Sequence, residues 1–329
     1  MKAAVVPAGA WGTALALCLE ANGFSVRLWC REREAAEEMA RTRENRRLPG
    51  VSLPPSLLPT SDLEEALHEA ETVVLVPPSG AFRSLLQTLL PLLPRGTLLL
   101  SGTKGLEPET GRRMSQVAEE SDPSLARRLG VVSGPNFAGE IARRLPASTV
   151  VAARDPEVAS FFQRALSTSW FRVYTQDDVA GVELGGALKN VLAIGVGIAE
   201  GMGAGKNAQA ALITRGLHEL ARLGVALGAR ERTFFGLAGL GDLVLTSTSS
   251  QSRNRQLGMA LGRGEKVAAF LSRTGFTVEG VATAPSARAL AEERGLDLPI
   301  VREVALVLEG KSPQEALRDL MSRGPRAEF

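Results

Sequence analysis

An apolar run, Lys2–Val6, passes through the small-residue stretch Pro7-Ala8-Gly9-Ala10-Trp11-Gly12 into a helical pattern over Thr13–Ala21, which Asn22-Gly23 ends. A second strand-type run, Ser25–Cys30, follows at once. Strand, tight turn, helix and strand within thirty residues make a βαβ unit, and such a unit commits the chain to a parallel sheet with helices covering its faces. The rest of the first half extends the pattern. Ser61-Asp62-Leu63-Glu64 has capping-box spacing and opens a helix toward Glu71. Thr72–Val76 reads as a buried strand stopped by Pro77-Pro78, Arg83–Leu93 as a helix, and Thr97–Ser101 as a further strand. Later strands fall at Val131–Ser133, Ser148–Ala152 and Phe171–Tyr174, with Asp155-Pro156-Glu157 starting a helix between the last two.

Alternation of this kind predicts a doubly wound α/β sheet over residues 1–180. From Gly181 the pattern turns helical, so residues 181–329 are expected to form an all-α domain. Gly181/Gly185 and Gly197/Gly201/Gly205 recur at four-residue spacing, which lets helices approach closely. Ser312-Pro313-Gln314-Glu315 has the form of a cap for a last helix.

Composition removes several classes of function. Thirty-eight basic against thirty-six acidic residues leave a net charge of +2, no electrostatic basis for nucleic-acid binding or for adhesion to an acidic membrane. Cys18 and Cys30 are too few for a disulfide scaffold, and His68 and His218 form no zinc-binding pattern. Ala3–Leu19 is uncharged and superficially resembles a signal peptide, but Pro7, Gly9 and Gly12 interrupt it and Leu17 is too large to precede a cleavage site. The expectation is a soluble, cytoplasmic chain without membrane insertion.

Several stretches carry chemistry. The first βα turn matches two glycines of a G-x-G-x-x-G dinucleotide fingerprint, Gly9 and Gly12, with Pro7 in place of the first. Proline holds φ near about −65° and removes one N–H donor, so the turn works only if that position tolerates negative φ. At the end of the second strand, Cys30-Arg31-Glu32-Arg33 combines arginines suited to a 2′-phosphate with an acid suited to a free ribose; NAD and NADP both fit, with a lean toward NADP. The same charges also suit a solvated loop.

Ser101-Gly102-Thr103-Lys104-Gly105 places a lysine beyond a strand end, where doubly wound sheets bind ligands. In Gly181–Asn190 (GVELGGALKN), Lys189 is embedded among small apolar residues. Burial would lower its pKa toward the range of a general acid or base, while snorkelling to the surface or pairing with an acid remains the structural alternative. Asp242 lies in LAGLGDLVLT, and Ser252-Arg253-Asn254 suits phosphate oxygens as well as it suits a solvated helix start.

Together, GAWGTALA, SGTKG, GPNFAGEIA, GVELGGALKNVLAI, GLGDLVLT and SRNRQLG stand in the order and approximate spacing of the bacterial NAD(P)-dependent glycerol-3-phosphate dehydrogenases. The chain resembles that family from Val5 to the region of Thr277–Gly280. The resemblance implies a Rossmann-type sheet domain followed by an all-α domain, and interconversion of dihydroxyacetone phosphate and sn-glycerol 3-phosphate for phospholipid backbones. It implies that Lys189 is the general acid/base and that Lys104, Gly134, Asn136, Asp242, Ser252, Arg253 and Asn254 hold substrate. Cofactor positions would be Gly9, Ala10, Trp11, Gly12, Arg31, Arg33, Lys104, Ala138, Arg253, Thr277 and Glu279. Pro7 departs from the family's usual glycine, and Asn136 stands where serine is common. With the Gly/Ala-rich helical half, the resemblance also implies a homodimer. Two rivals read the same residues otherwise: a related β-hydroxyacid dehydrogenase using the arginine for a carboxylate, or an inactive NADP-binding sensor.

Overall fold

The computed structural model describes residues 1–324; residues 325–329, the end of the expected helical domain, lie outside the described residues. The strands are β1 (Lys2–Val6), β2 (Ser25–Trp29), β3 (Leu57–Thr60), β4 (Thr72–Leu75), β5 (Leu98–Ser101), β6 (Leu129–Ser133), β7 (Ala147–Ala153) and β8 (Phe171–Gln176). Among them run α1 (Ala10–Ala21), α2 (Arg33–Thr42), α3 (Leu63–Leu67), α4 (Phe82–Leu89), α5 (Met114–Ser121), α6 (Ala138–Ala142) and α7 (Pro156–Leu166). Beyond β8 the described chain is helical: α8 (Val179–Gly201), α9 (Lys206–Ala226), α10 (Glu231–Phe234), α11 (Asp242–Thr248), α12 (Arg253–Gly262), α13 (Val267–Thr274), α14 (Glu279–Glu293), α15 (Pro299–Leu308) and α16 (Pro313–Met321).

The fold is the α/β doubly wound sheet followed by helices that the sequence predicts. One eight-stranded sheet runs β3-β2-β1-β4-β5-β6-β7-β8, and every neighbouring pair is parallel except β6 with β7. Alternate residues of β1 feed two separate cores. Ala3 and Val5 pack with Leu15, Leu19 and Phe162 on one face, Ala4 and Val6 with Leu67, Phe82, Leu86 and Val117 on the other. That alternation is why the strands are apolar on both faces. Strand order reverses between β1 and β4, so the crevice beyond their carboxyl ends, where the first βα turn lies, is the ligand-binding edge of the sheet.

Some local expectations are corrected. Asp62, not Ser61, caps α3 by accepting from the Glu65 N–H, and the helix stops at Leu67 rather than Glu71. α4 ends at Leu89, and β3 is an edge strand absent from the sequence reading. The four-residue glycine series ends at Gly201, because Gly205 lies outside α8 as the N-cap of α9, with no neighbour within 4 Å of a Cβ there.

The series has its function in α8. This 23-residue helix is long and apolar enough to cross a membrane, yet it is buried as the core helix of the second half. A Cβ at Gly197 would fall 2.3 Å from the Arg255 carbonyl oxygen, and one at Gly201 would fall 2.3 Å from that of Met259. The contact is reciprocal: Gly258 and Gly262 of α12 face the Ile194 and Ile198 carbonyls at 2.1 and 2.3 Å. Two helices thus meet backbone to backbone, which fixes α12 along the C-terminal half of α8.

Candidate active site

Five chain segments converge beyond the strand ends. Lys189 comes from α8, buried because the helix around it is buried. One turn earlier, Gly185 lets α8 approach the Ala238 carbonyl, where a Cβ would stand 2.7 Å away. That carbonyl belongs to a π-helical turn, Leu237–Gly241, which leads directly into α11 and its first residue, Asp242. Such turns recur at functional sites because they re-aim the residues that follow. Here the re-aimed residue is a carboxylate buried to 2% exposure.

Asp242 is shared by two lysines. Lys189 Nζ donates to Oδ1 at 2.9 Å and to Thr246 Oγ1 at 2.7 Å, and the Thr246 hydroxyl in turn donates to Oδ1 at 3.1 Å. Lys104 Nζ, from the loop after β5, donates to Oδ2 at 2.7 Å and to the Gly134 carbonyl at 2.7 Å. Each ammonium has three donors, so each keeps one for a ligand. Burial lowers the Lys189 pKa; Asp242 opposes the shift, Lys104 and Arg253 reinforce it, and the balance is about 8. Burial alone would raise the Asp242 carboxyl, but the two ammonium groups outweigh it and hold it below the ordinary value.

Asn190 supports this cluster from the next position on α8. Its amide donates to the Lys104 carbonyl at 3.1 Å and its oxygen accepts from Asn254 Nδ2 at 2.9 Å, while Asn254 Oδ1 accepts from the Gly280 N–H at 3.0 Å. The chain of amides ties the Lys104 loop to α8, α12 and α14. Neither Asn190 nor Thr246 was singled out in the sequence, although both stand inside stretches that were; their roles depend on contacts between segments 53 to 86 residues apart.

The other expected substrate residues divide. Arg253 is the first residue of α12, and its guanidinium is close enough to influence Lys189. Burial lowers its pKa, and Glu279 partly offsets that. Ser252 spends its hydroxyl capping α12, accepting from the Arg255 N–H at 3.2 Å. Asn136 turns to the sheet: its amide donates to the Ser148 carbonyl at 3.0 Å and its oxygen accepts from Thr149 Oγ1 at 2.8 Å. It stabilises the loop that presents the Gly134 carbonyl.

The nucleotide side is a groove of about 490 Å³ beside the first βα turn, lined by Pro7, Gly9, Arg31, Arg47 and Thr277 among others. Residue 7 is not at positive φ, so proline is compatible with the turn. The Val6–Pro7 peptide is cis, and the Pro7 carbonyl accepts from the Gly9 N–H at 2.8 Å. Gly12 is required as glycine, since a Cβ would stand 2.5 Å from the Pro7 oxygen, whereas a Cβ at Gly9 would meet nothing within 4 Å. Gly9 N-caps α1, and the first turn, including Ala10 and Trp11, carries no acid. An N-terminus so arranged attracts a pyrophosphate. The Trp11 indole N–H is buried without a protein partner, and Lys104 Nζ sits 6.0 Å from the ring centroid. These features fit a dinucleotide.

Glu279 is half-buried at the start of α14 and accepts from Ser79 Oγ at 2.6 Å; Ala138 begins α6, which packs beside α1. Arg31 is 80% exposed and lies 3.7 Å from Glu32, which also accepts from Arg46 at 3.1 Å. Arg33 points elsewhere, donating to Glu37 at 2.7 Å along α2. No cluster of metal-binding side chains exists among the described residues.

Comparison with known proteins gives a consistent result. Residues 2–159 match the family model described as NAD-dependent glycerol-3-phosphate dehydrogenase N-terminus, and residues 178–318 match that of the C-terminus. The glycerol-3-phosphate dehydrogenase, NAD(P)+, of Geobacter sulfurreducens is 49% identical over 327 residues, covering 98% of each chain. The protein of the same description from Pelotomaculum thermopropionicum is 48% identical, over 100% of this chain and 95% of its own. A crystal structure of glycerol-3-phosphate dehydrogenase from Coxiella burnetii superposes with a TM-score of 0.93 at 39% identity, covering 98% of this chain and 99% of that one.

Proposed function

The chain belongs to the NAD-dependent glycerol-3-phosphate dehydrogenase family, and from that premise we propose that the Lys189–Asp242–Lys104 cluster reduces dihydroxyacetone phosphate to sn-glycerol 3-phosphate, and runs the reverse oxidation. The observation that carries this reading is the single buried carboxylate holding two ammonium groups at the ligand-binding edge of the sheet. It fixes two donors side by side next to the nucleotide groove.

When bound, NAD(P)H supplies a hydride to the ketone carbon. Gly9, Ala10, Trp11 and Gly12 would take the pyrophosphate, with Arg31, Thr277 and Glu279 along the rest of the groove. Lys189 polarises the carbonyl and gives its proton to the oxygen as charge develops there. Lys104 directs its remaining donor at the same region, and Asp242 orients both lysines without reacting. Arg253, with the unpaired backbone N–H groups at the start of α12, receives the phosphate, whose binding orients the ketone for attack. In oxidation the neutral Lys189 amine takes the proton back.

The nucleotide-binding unit is assigned to residues 1–180 and the helical unit to residues 181–329; the end of the last strand at Gln176 and the start of α8 at Val179 support the division. A homodimer, and a cytoplasmic setting in which the product feeds glycerophospholipid synthesis, complete the reading. Sedimentation of the purified chain checks the dimer. The deciding experiment is the initial rate of NADH and of NADPH oxidation with dihydroxyacetone phosphate: rapid oxidation supports the reading, and turnover only with a β-keto acid would replace it. A larger kcat/KM with NADPH that collapses in Arg31→Ala would assign Arg31 to the 2′-phosphate.

A further inference from the structure

We propose that Arg47 clamps the cofactor pyrophosphate and makes up for the backbone donor that Pro7 removes; the inference rests on the dinucleotide reading above. Arg47 lies on the segment after α2 and lines the same groove as Pro7, Ala8 and Gly9. Its place is set by Asn45, which is only 2% exposed. The Asn45 amide donates to the Ala8 carbonyl at 3.1 Å and to Thr13 Oγ1 at 2.7 Å, while its oxygen accepts from the Arg47 N–H at 2.9 Å. One buried side chain therefore ties residue 47 to the turn assigned above to the pyrophosphate and to the helix that follows it.

The far end of the segment is braced as well. Arg43 donates through Nε to the Leu53 carbonyl at 3.2 Å and through Nη2 to that of Leu57 at 2.9 Å. The two adjacent arginines then differ. Arg46 is committed to Glu32 at 3.1 Å, whereas the Arg47 guanidinium makes no hydrogen bond or ion pair with the described residues. Its charge reaches into the site, adding to the lowering of the Arg253 pKa that burial begins. A guanidinium whose backbone is anchored beside a turn assigned to phosphate, where proline has removed an N–H, offers a charge-assisted, bidentate replacement.

The test is a fluorescence titration with NADH and NADPH, and a calorimetric one with ADP-ribose, which keeps the pyrophosphate and lacks the nicotinamide. The chains compared are wild type, Arg47→Ala, Arg47→Lys, Pro7→Gly and the Pro7→Gly/Arg47→Ala pair. Arg47→Ala is expected to weaken all three ligands about tenfold, the scale of one charge-assisted hydrogen bond, with partial recovery in Arg47→Lys. In the Pro7→Gly background the loss should shrink to about threefold, since non-additivity is what coupled residues show. Unchanged ADP-ribose affinity in Arg47→Ala overturns the proposal, as does a loss confined to NADPH, which would make Arg47 a reader of the 2′-phosphate. The same loss with proline or glycine at position 7 overturns the compensation. Should Pro7→Gly not fold, the salt dependence of ADP-ribose binding decides: a slope no flatter in Arg47→Ala than in wild type rejects the clamp. ADP-ribose binding needs no turnover, so failure of the proposed reaction would leave this result readable.

Discussion

Lys104 reaches from the loop after β5 to Asp242 at the start of α11, 138 residues away in sequence, and closes an ion pair of 2.7 Å between the sheet and the helical half. Asp242 offers its other oxygen to Lys189 at 2.9 Å. The lysines are thereby held close despite like charge, and burial depresses the pKa of Lys189 to about 8. Lys189→Ala is therefore expected to lower kcat by roughly 10²–10⁴-fold, the range of a lost general acid. Dissociation constants for NADH and NADPH should stay within about twofold, the spread expected of a group that cofactor does not touch. Steady-state kinetics beside a cofactor titration checks both; a wild-type kcat in the variant would remove Lys189 from the chemistry.

The pH dependence has a definite sign. In the proposed mechanism ketone reduction uses the ammonium form of Lys189, so its rate should be level below a pH of about 8 and fall tenfold per unit above it. Oxidation of the alcohol uses the amine and should rise to a plateau across the same interval. The negative charge of Asp242 opposes the lowering of that pKa. Asp242→Asn should therefore move both midpoints to lower pH, besides reducing kcat. Profiles of kcat in the two directions, wild type against variant, test the assignment; an upward move would contradict it.

Gly258 faces the Ile194 carbonyl at a distance no side chain tolerates, 2.1 Å for an added Cβ. Gly258→Ala must push α12 off α8, at a cost of about 1–3 kcal/mol for overpacking. Arg253 rides on the first turn of the displaced helix. The expected result is a lower Tm together with a raised KM for the phosphorylated ketone and a smaller change in KM for cofactor. Calorimetry and kinetics on the same preparation separate the two effects, and a variant with unchanged Tm would refute the contact.

Glu219 gives a stability signal away from the site. Buried in α9, it accepts from the Ile300 and Val301 N–H groups at the start of α15 at 2.9 and 3.0 Å, and burial raises its pKa to about 7. A carboxyl raised on folding contributes stability that is complete below its unfolded pKa and is lost as pH rises through about 7. The loss amounts to about 3 kcal/mol at 1.36 kcal/mol per unit. Glu219→Gln cannot titrate. It should be less stable than wild type near a pH of about 5, and the deficit should narrow or reverse by about 8. Urea unfolding across that range measures it; a constant difference would mean Glu219 does not titrate there.

Most of the sheet was readable because each central strand is a short apolar run bounded by turn residues. β3 was not, since Pro54 and Pro55 precede it and Pro59 lies within it. As an edge strand it leaves one side without a sheet neighbour, which is where proline is tolerated. Lys104, Lys189 and Asp242 stood out as charges in glycine-rich or apolar surroundings, and the structure brings all three together. Asn190, Thr246 and Asn45 did not, because an amide or hydroxyl has no local pattern that tells which distant carbonyl it will meet. Asn136 shows the converse: the motif around it was legible, but the partners of its side chain, Ser148 and Thr149, were not.

The glycine contact between α8 and α12 has a consequence for selectivity. Where two helices are separated by side chains, the gap yields, because rotamers shift to accommodate a larger guest. Here main chain rests on main chain, with no flexible part between the helix that carries Lys189 and the one that carries Arg253. With Lys189 and Arg253 in the roles proposed above, the pair forms a rigid caliper, one jaw at the carbonyl and the other at the phosphate. A phosphorylated ketone one carbon longer or shorter would fail by length alone, whatever its affinity for either jaw.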